Sequence, residues 1–373
     1  MGQRYFIGLN FSIKRITFTI MKKAYYRIVG VMSGTSLDGI DLAHCEFFVQ
    51  DGRWTFEIAQ AETIPYEHQW QRDLARAHRQ PSNAVDLLDI AYTKLLGETV
   101  QDFLLRHEIL QLDAVCSHGH TVFHQPQKGL TRQIGNRSEL AKIIGFPVVC
   151  DFRVQDVAMG GQGAPLVPIG DRFLFSNYAA CLNIGGFANA SIHHEIKTEA
   201  FDIAPANIIL NHWANALGGA YDDRGYWASQ GCVKQDLLQT LNDLPFYARS
   251  GPKSLGREWS EQFIYPLFTD FPYDPQDWLA TYCAHLADQI CRSLEGQRDV
   301  LVTGGGAFNK HLMTCLDRQQ PNTYVTPEHK TIAYKEALIF GLLGVLRLRE
   351  ENNCLAYVTG AREDHCSGRL FMP

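Results

Sequence analysis

The sequence has no Cys-x-x-Cys pair among its 10 cysteines, no excess of basic charge, no Gly-Lys-Ser/Thr phosphate loop and no low-complexity linker. It also lacks any apolar run near the ~20 residues that a membrane-spanning helix needs. Several cysteines, including Cys116, Cys150 and Cys181, sit inside apolar runs that read as strands. Free thiols pack there as small hydrophobes, so the count does not describe a disulfide-stapled secreted domain. A net charge of −6 excludes a generally basic nucleic-acid surface. The apolar stretch at 5–13 is short and holds Asn10 and Ser12, which makes a poor secretory core. Phe6 stands where a myristoylation signal needs Ser or Thr. Residues 1–25 therefore read as an extension without chemistry. Met21-Lys22-Lys23 looks like a second start, which would make residues 1–20 dispensable.

What remains is a globular chain of 373 residues, 46% hydrophobic and 20% charged, long enough for two or three domains. Residues 26–32, 40–48 and 54–59 read as strand, glycine turn, strand, turn, strand, with Asp51-Gly52 as the second turn. Ser82–Arg106 carries apolar residues at helical spacing, with Ser82 or Asn83 as its cap. Residues 113–117 form a buried strand leading into a Gly/His turn, and 146–150 form another. The pattern then returns. Ala180–Ile184, Gly185-Gly186 and 187–192 repeat strand, turn, strand. Residues 205–217 read as a helix with Pro205 in its first turn. Val300–Thr303 enters Gly304-Gly305-Gly306, and 336–348 is an apolar helix. The repeat near 34 and 185 fits two related domains facing a cleft, or two ordinary hairpins. The missing linker argues for close contact between the halves.

Four constellations can carry chemistry. In Ser33-Gly34-Thr35-Ser36-Leu37-Asp38-Gly39, glycine lets backbone N–H groups crowd a phosphate, the hydroxyls add donors, and Asp38 can orient Mg²⁺. A plain polar turn is the alternative. Gly304-Gly305-Gly306-Ala307-Phe308-Asn309 follows a strand and opens a helix, which suits a phosphate or a flat ligand face, or a flexible loop. His118, His120 and His124 have spacing that permits a metal. No Cys pair accompanies them, and Asp151 and Asp156 are remote in sequence, so sugar contacts or turn hydrogen bonds are the stronger reading. Asp202, before the helix begun by Pro205, is a helix cap or a carboxylate over a cleft ligand.

These segments, in this order, resemble the anhydro-N-acetylmuramic acid kinase family of the sugar kinase, Hsp70 and actin superfamily. The resemblance rests on Gly30-Val31-Met32-Ser33-Gly34-Thr35-Ser36-Leu37-Asp38-Gly39, His118-Gly119-His120-Thr121, Asp151-Phe152-Arg153, the stretch 156–168, Leu182-Asn183-Ile184-Gly185-Gly186, Tyr221-Asp222, Pro252-Lys253-Ser254, the triple glycine, Glu336-Ala337 and Val358-Thr359-Gly360. It runs from residue 30 to the C-terminus. It implies an α/β fold of two actin-like (ribonuclease H-like) domains of mixed sheet and helices flanking a nucleotide cleft. Domain I would be 26–175 with 350–373, and domain II 176–349.

The resemblance further implies that ATP meets Gly34, Thr35, Ser36, Leu37, Asp38, Gly39, Ile40 and Asp41 from one side. Gly185, Gly186, Gly304, Gly305, Gly306 and Asn309 would meet it from the other. Asp202 is the implied catalytic base, and Thr121, Arg153, Asn207 and Glu336 the implied substrate contacts. The implied reaction uses ATP and Mg²⁺ to phosphorylate O6 of a 1,6-anhydro amino sugar as water opens the ring. A cytoplasmic homodimer acting on a small molecule, with no nucleic-acid or membrane partner, is the implied setting. The chain departs from the family at Ala204 and Ala206, where glycines are usual, and at Gln155, His120 and Asn211. The two added methyls are expected to bear on substrate fit.

Overall fold

The computed structural model describes residues 22–34, 37–194, 198–249 and 253–373. Thr35, Ser36 and the extension up to residue 21 lie outside the described residues, and Tyr25 already opens the first strand. Strands β1 (Tyr25–Ser33), β2 (Gly39–Gln50), β3 (Arg53–Pro65), β4 (Ala114–Gln125), β5 (Leu130–Ile134) and β6 (Val148–Cys150) build one sheet. Strands β7 (Ala180–Ile184), β8 (Phe187–His193), β9 (Thr198–Pro205), β10 (Val300–Thr303) and β11 (Tyr324–Val325) build a second, and β12 (Arg369–Phe371) returns to the first. The first sheet runs β12-β6-β4-β1-β2-β3, with β5 on β4, and the second runs β11-β10-β7-β8-β9.

Both sheets obey one plan. An antiparallel meander (β1-β2-β3, β7-β8-β9) comes first, β4 and β10 then pair in parallel with its first member, and β6 and β11 extend that parallel run. The repeated glycine turn is therefore the mark of two related α/β units rather than of two unrelated hairpins. We propose the domain division at 175/176, with 350–373 returned to the first unit. The helix His329–Leu348 lies within the second segment of that division but packs on β1, β2 and β4.

Alternation along β1 explains this packing, since successive side chains of a strand face opposite ways. Ile28 and Met32 enter the core shared with the helix His329–Leu348. Val29 and Val31 enter the core shared with the helix Ser82–Arg106. Gly30 permits the first contact, because a Cβ there would lie 1.9 Å from the carbonyl oxygen of Ala337. The helix also holds a buried ion pair, Lys335 Nζ to Asp171 Oδ1 at 2.7 Å, with the side chains 5% and 3% exposed. Lys335 Nζ further donates to Thr303 Oγ1 at 3.4 Å. One side chain thus joins the helix Val167–Leu174, the helix His329–Leu348 and the end of β10.

The structure corrects three local expectations. Neither Ser82 nor Asn83 caps the long helix; Pro81 occupies the cap position, with no side-chain cap bond. The stretch after Ser117 is not a terminating turn. β4 continues to Gln125, with Gly119 at φ +73° and a register shift between Thr121 and Phe123 absorbing the irregularity. Pro205 ends β9, and the helix begins at Asn207. Asp202 consequently lies inside a strand and caps nothing. Asp51-Gly52, at φ +50° and +77°, makes the tight turn expected of it.

Lys335→Met should cost about 3–5 kcal/mol in denaturant unfolding, because it leaves Asp171 buried and uncompensated. Lys335→Met/Asp171→Leu should recover much of that loss, which a simple packing defect would not.

Candidate active site

The carboxyl ends of parallel strands gather loops at one edge of a sheet. In the first sheet β1 and β4 run in parallel, and Ser33 pairs with His120. A buried hydrogen-bond chain fixes this junction. His120 Nδ1 lies 2.9 Å from Ser33 Oγ, Ser33 Oγ 2.6 Å from Tyr66 OH, and Tyr66 OH 2.6 Å from Tyr92 OH. Burial pushes His120 down to about 4, so its ring is neutral near pH 7. Beyond Ser33 the chain turns sharply: Leu37 N donates to Gly34 O at 3.4 Å, and Leu37 takes φ +62°. Gly39, Ile40 and Asp41 then belong to β2, and the Ile40 side chain is core. Gly39 answers to the sheet, since a Cβ would lie 2.4 Å from Ile64 O.

β6 lies parallel to β4 and delivers Arg153 to the same edge. Arg153 donates through Nε to His118 Nε2 (2.9 Å) and through Nη1 to Gly163 O (2.6 Å). Because His118 Nε2 accepts, its proton sits on Nδ1, which donates to Gly119 O at 2.9 Å. Burial, and the nearby Arg153 charge, hold His118 well below its ordinary value. His124 pairs separately with Thr131 Oγ1 at 3.1 Å. Each of the three histidines therefore has its own partner. Thr121 is half-buried, and its Oγ1 accepts from Gln133 Nε2 at 3.3 Å.

Glu336 comes from the helix His329–Leu348, just after a break at Tyr334 (φ −116°, ψ 18°). Its side chain is reached by solvent yet surrounded by protein charge, as in the wall of a cleft. Burial raises the Glu336 carboxyl, Arg153 opposes that shift, and Asp41 and Asp38 add to it. Burial likewise raises Asp41, with Thr63 opposing and Asp38 adding to the shift. Three carboxylates thus make one region negative, and oxygen donors of this kind are the type that a hard divalent cation such as Mg²⁺ takes.

In the second sheet, β7 ends at Gly185-Gly186 and the parallel β10 ends at Gly304-Gly305-Gly306. Gly304 takes φ +81°, and a Cβ on it would meet Asn183 Oδ1 at 2.7 Å. Gly305 has open space ahead of it, with only Asn207 Nδ2 at 3.5 Å. Asn207 anchors through Nδ2 to Ile184 O at 3.3 Å. Asn309 caps the helix Lys310–Gln319 by accepting from Leu312 N at 3.0 Å. A cavity of about 1260 Å³ opens here, and its lining includes Asp38, Asn207, Asn211, Gly305, Gly306 and Asn309. It continues past Tyr221 and Arg224, which also line an adjoining cavity of about 580 Å³. The structure thus brings Asp38 of one unit opposite the glycine loop of the other. Thr121, Arg153, Glu336 and Asp202 are not part of this cavity's lining.

Asp202 sits on β9 opposite Asn189. Its N–H donates to Lys253 O at 2.8 Å, and its Oδ2 accepts from Leu255 N at 2.7 Å. Oδ1 has no hydrogen-bond partner among the described residues. Burial raises the carboxyl, and the Leu255 N–H partly opposes that shift. Ala204 and Ala206 are fully buried in the second core. The tyrosines under the loop and the Leu255 backbone donor went unread in the sequence. Tyr66 and Tyr92 resemble ordinary core aromatics there, and Leu255 lies 53 residues from its partner.

The glycines divide into testable classes. Gly305→Ala should fold with an unchanged Tm yet weaken nucleotide binding at least tenfold in calorimetry. Gly306→Ala should lower stability by about 1–3 kcal/mol, because its Cβ would lie 2.2 Å from Ile184 Cγ2.

A family profile described as "Anhydro-N-acetylmuramic acid kinase" matches residues 26–373. A protein of that name from Pseudomonas syringae pv. syringae (strain B728a) is 35% identical over 362 residues, covering 92% of this chain and 98% of its own. Another from Pasteurella multocida (strain Pm70) is 35% identical over 373 residues, covering 94% and 98%. Among solved structures, the activator of 2-hydroxyisocaproyl-CoA dehydratase from Clostridium difficile with bound ADPNP aligns with a TM-score of 0.44. That alignment has 12% identity and covers 87% of this chain and 96% of the other.

Proposed function

The chain belongs to the anhydro-N-acetylmuramic acid kinase family, and from that premise we propose how its own residues divide the work. The enzyme is an ATP-dependent kinase that converts anhydro-N-acetylmuramic acid to N-acetylmuramic acid 6-phosphate. The substrate is an internal acetal, and opening an acetal by hydrolysis normally takes two carboxyl groups, one acid and one base. Phosphoryl transfer to O6 supplies the electrophile in place of the acid. A single base is then sufficient.

Asp202 is that base. The observation that carries the assignment is its asymmetric carboxylate. Oδ2 is fixed by the Leu255 N–H, Oδ1 has no protein donor among the described residues, and burial raises the basicity of the group. A raised pKa strengthens the base, which is what proton abstraction from water requires. Gly34, Thr35, Ser36, Leu37, Asp38 and the β2 backbone at Gly39, Ile40 and Asp41 bind the phosphates from one side. Gly185, Gly186, Gly304, Gly305 and Gly306 bind from the other, and capped Asn309 holds the last turn in place. Asp38 and Asp41 would hold Mg²⁺, which would neutralise phosphate charge.

Arg153, rigidly held by His118 and Gly163, meets the transferring phosphoryl group or the lactyl carboxylate. Glu336, Thr121 and Asn207 orient the sugar. Catalysis here is mainly the orientation of groups by fixed donors and charges. The reaction belongs in the cytoplasm, where ATP and a reducing environment coexist; all ten cysteines are free. Among the described residues no helix is long and apolar enough to cross a membrane. The assembly is a homodimer. Exposed Leu87 and Ile90, one turn apart on the helix Ser82–Arg106, offer an apolar face for it.

Asp202→Asn should lower kcat by about 10²–10⁴ or more while ATP still binds with wild-type affinity. Near-normal turnover would remove Asp202 from the mechanism. In wild type, kcat should fall as pH drops through the Asp202 pKa, with its acid limb above that of an ordinary carboxylate. Stability follows the opposite sense. The folded state keeps the Asp202 proton more tightly than the unfolded chain, so stability is lost as pH rises from the unfolded to the folded pKa. Asp202→Asn should thus be at least as stable as wild type at pH 7, measured by thermal unfolding.

A further inference from the structure

Behind Arg153, away from the cavity lining, three side chains of different chemistry converge. Asp156, Cys354 and His365 are 0%, 2% and 6% exposed. One oxygen, one sulfur and one nitrogen from them all lie within 4.8 Å of one another. We propose that these residues form a binding site for one borderline-soft divalent cation, Zn²⁺ above all.

The argument starts from His365. Its Nδ1 lies 3.1 Å from the carbonyl oxygen of Glu363. A carbonyl only accepts, so that nitrogen carries a proton, and the remaining ring nitrogen, Nε2, is the one that can offer a lone pair. Nε2 is buried without a hydrogen-bond partner and lies 3.6 Å from Asp156 Oδ1. Two acceptors facing each other in a dry interior repel unless a proton or a cation lies between them. A backbone carbonyl on the outer nitrogen is the usual support of a metal-bound imidazole.

Asp156 is placed to complete the pair. Its Oδ2 accepts from Gly163 N at 2.6 Å, and its Oδ1 accepts from Thr359 Oγ1 at 2.7 Å. Oδ1 retains one lone pair, and His365 faces that atom. Cys354 and His365 form an antiparallel bridge, with Cys354 N to His365 O at 3.0 Å and His365 N to Cys354 O at 3.1 Å. Directly opposed residues of such a pair carry their side chains on one face. The backbone therefore sets sulfur and nitrogen side by side before any ion arrives.

The donor set selects the ion. Thiolate, imidazole and carboxylate suit Zn²⁺, whereas Mg²⁺ and Ca²⁺ take oxygen. Tetrahedral bonds of about 2.0–2.3 Å put neighbouring ligands about 3.3–3.7 Å apart. The His365–Asp156 edge already has that spacing, and the longest edge needs to shorten by about 1 Å. As the metal–sulfur bond forms, the S–H bond breaks and its proton leaves to solvent. One carboxylate, one thiolate and a neutral imidazole then balance a 2+ ion, so the filled site has no net charge to bury. Water takes the fourth position. The site also tethers the C-terminal segment to Asp156, whose Gly163 contact supports the carbonyl that holds Arg153.

The test uses full-length protein stripped by chelator and then titrated with Zn²⁺, or with Co²⁺ as a spectroscopic probe. Wild type should take up one equivalent, gain thermal stability with Zn²⁺, and show a thiolate-to-cobalt charge-transfer band with tetrahedral d–d absorption. Cys354→Ser should lose the charge-transfer band. His365→Gln should weaken binding by at least the roughly 10–100-fold that loss of an outer-shell support costs and carries the test if Cys354→Ser does not fold. Cys232→Ser, at an exposed cysteine, should behave as wild type. Folded wild type without a thiolate band, or a band that survives in Cys354→Ser, would overturn the site. So would a His365 ring that titrates against Asp156 by NMR with no response to either metal.

Discussion

A lysine–aspartate pair with almost no exposure to water, Lys335 with Asp171, joins the two halves of this molecule at the depth where their loops meet. Charges in such a place are expensive, and only a close partner makes them tolerable. The pair fixes the helix His329–Leu348 against the helix Val167–Leu174 and against Thr303, the residue before the triple glycine. The next residue on the helix is Glu336. The position of a proposed substrate carboxylate and the floor of a proposed phosphate loop thus share one anchor. Gly30 makes the arrangement possible, because any side chain there would collide with the Ala337 carbonyl.

The site is built on contrasts of charge. Near β1 and β2, the Glu336 carboxyl faces Arg153 and Lys335, which oppose its raised pKa, and Asp41 and Asp38, which add to it. On β9, Asp202 stands with one backbone donor and a raised pKa. The first is the proposed phosphate side of the site and the second holds the proposed base. Separating the two would let one protein neutralise the charge on ATP without quenching the carboxylate proposed to take a proton. Such separated environments are how a single fold assigns different jobs to chemically similar groups.

Much of the frame is legible in the residues, and the exceptions have physical reasons. The helix Ser82–Arg106 and the strands Ala180–Ile184 and Val300–Thr303 follow from periodicity and length. The repeated strand–glycine–strand unit does mark a repeated sheet. Reading stops short where one residue type serves two purposes. Pro205 suits the start of a helix and equally the end of a strand. Gly119 suits a turn, but here it lets β4 carry on past a distortion. Ala204 and Ala206, read as added methyls in a glycine motif, are also members of the second core. Long-range contacts leave no local trace at all: Leu255 with Asp202, Gly30 with Ala337, Ser33 with Tyr66.

The central claim is that phosphorylation at O6 and attack of water at C1 are halves of one event, with the protein supplying only the base for the second. A single turnover in ¹⁸O-water, with ATP and anhydro-N-acetylmuramic acid, tests it most directly when quenched before anomeric exchange. The account predicts one labelled oxygen at C1 of the 6-phosphorylated product and none on phosphorus. Label on phosphorus, or a 6-phosphate whose C1 oxygen is unlabelled, would contradict it.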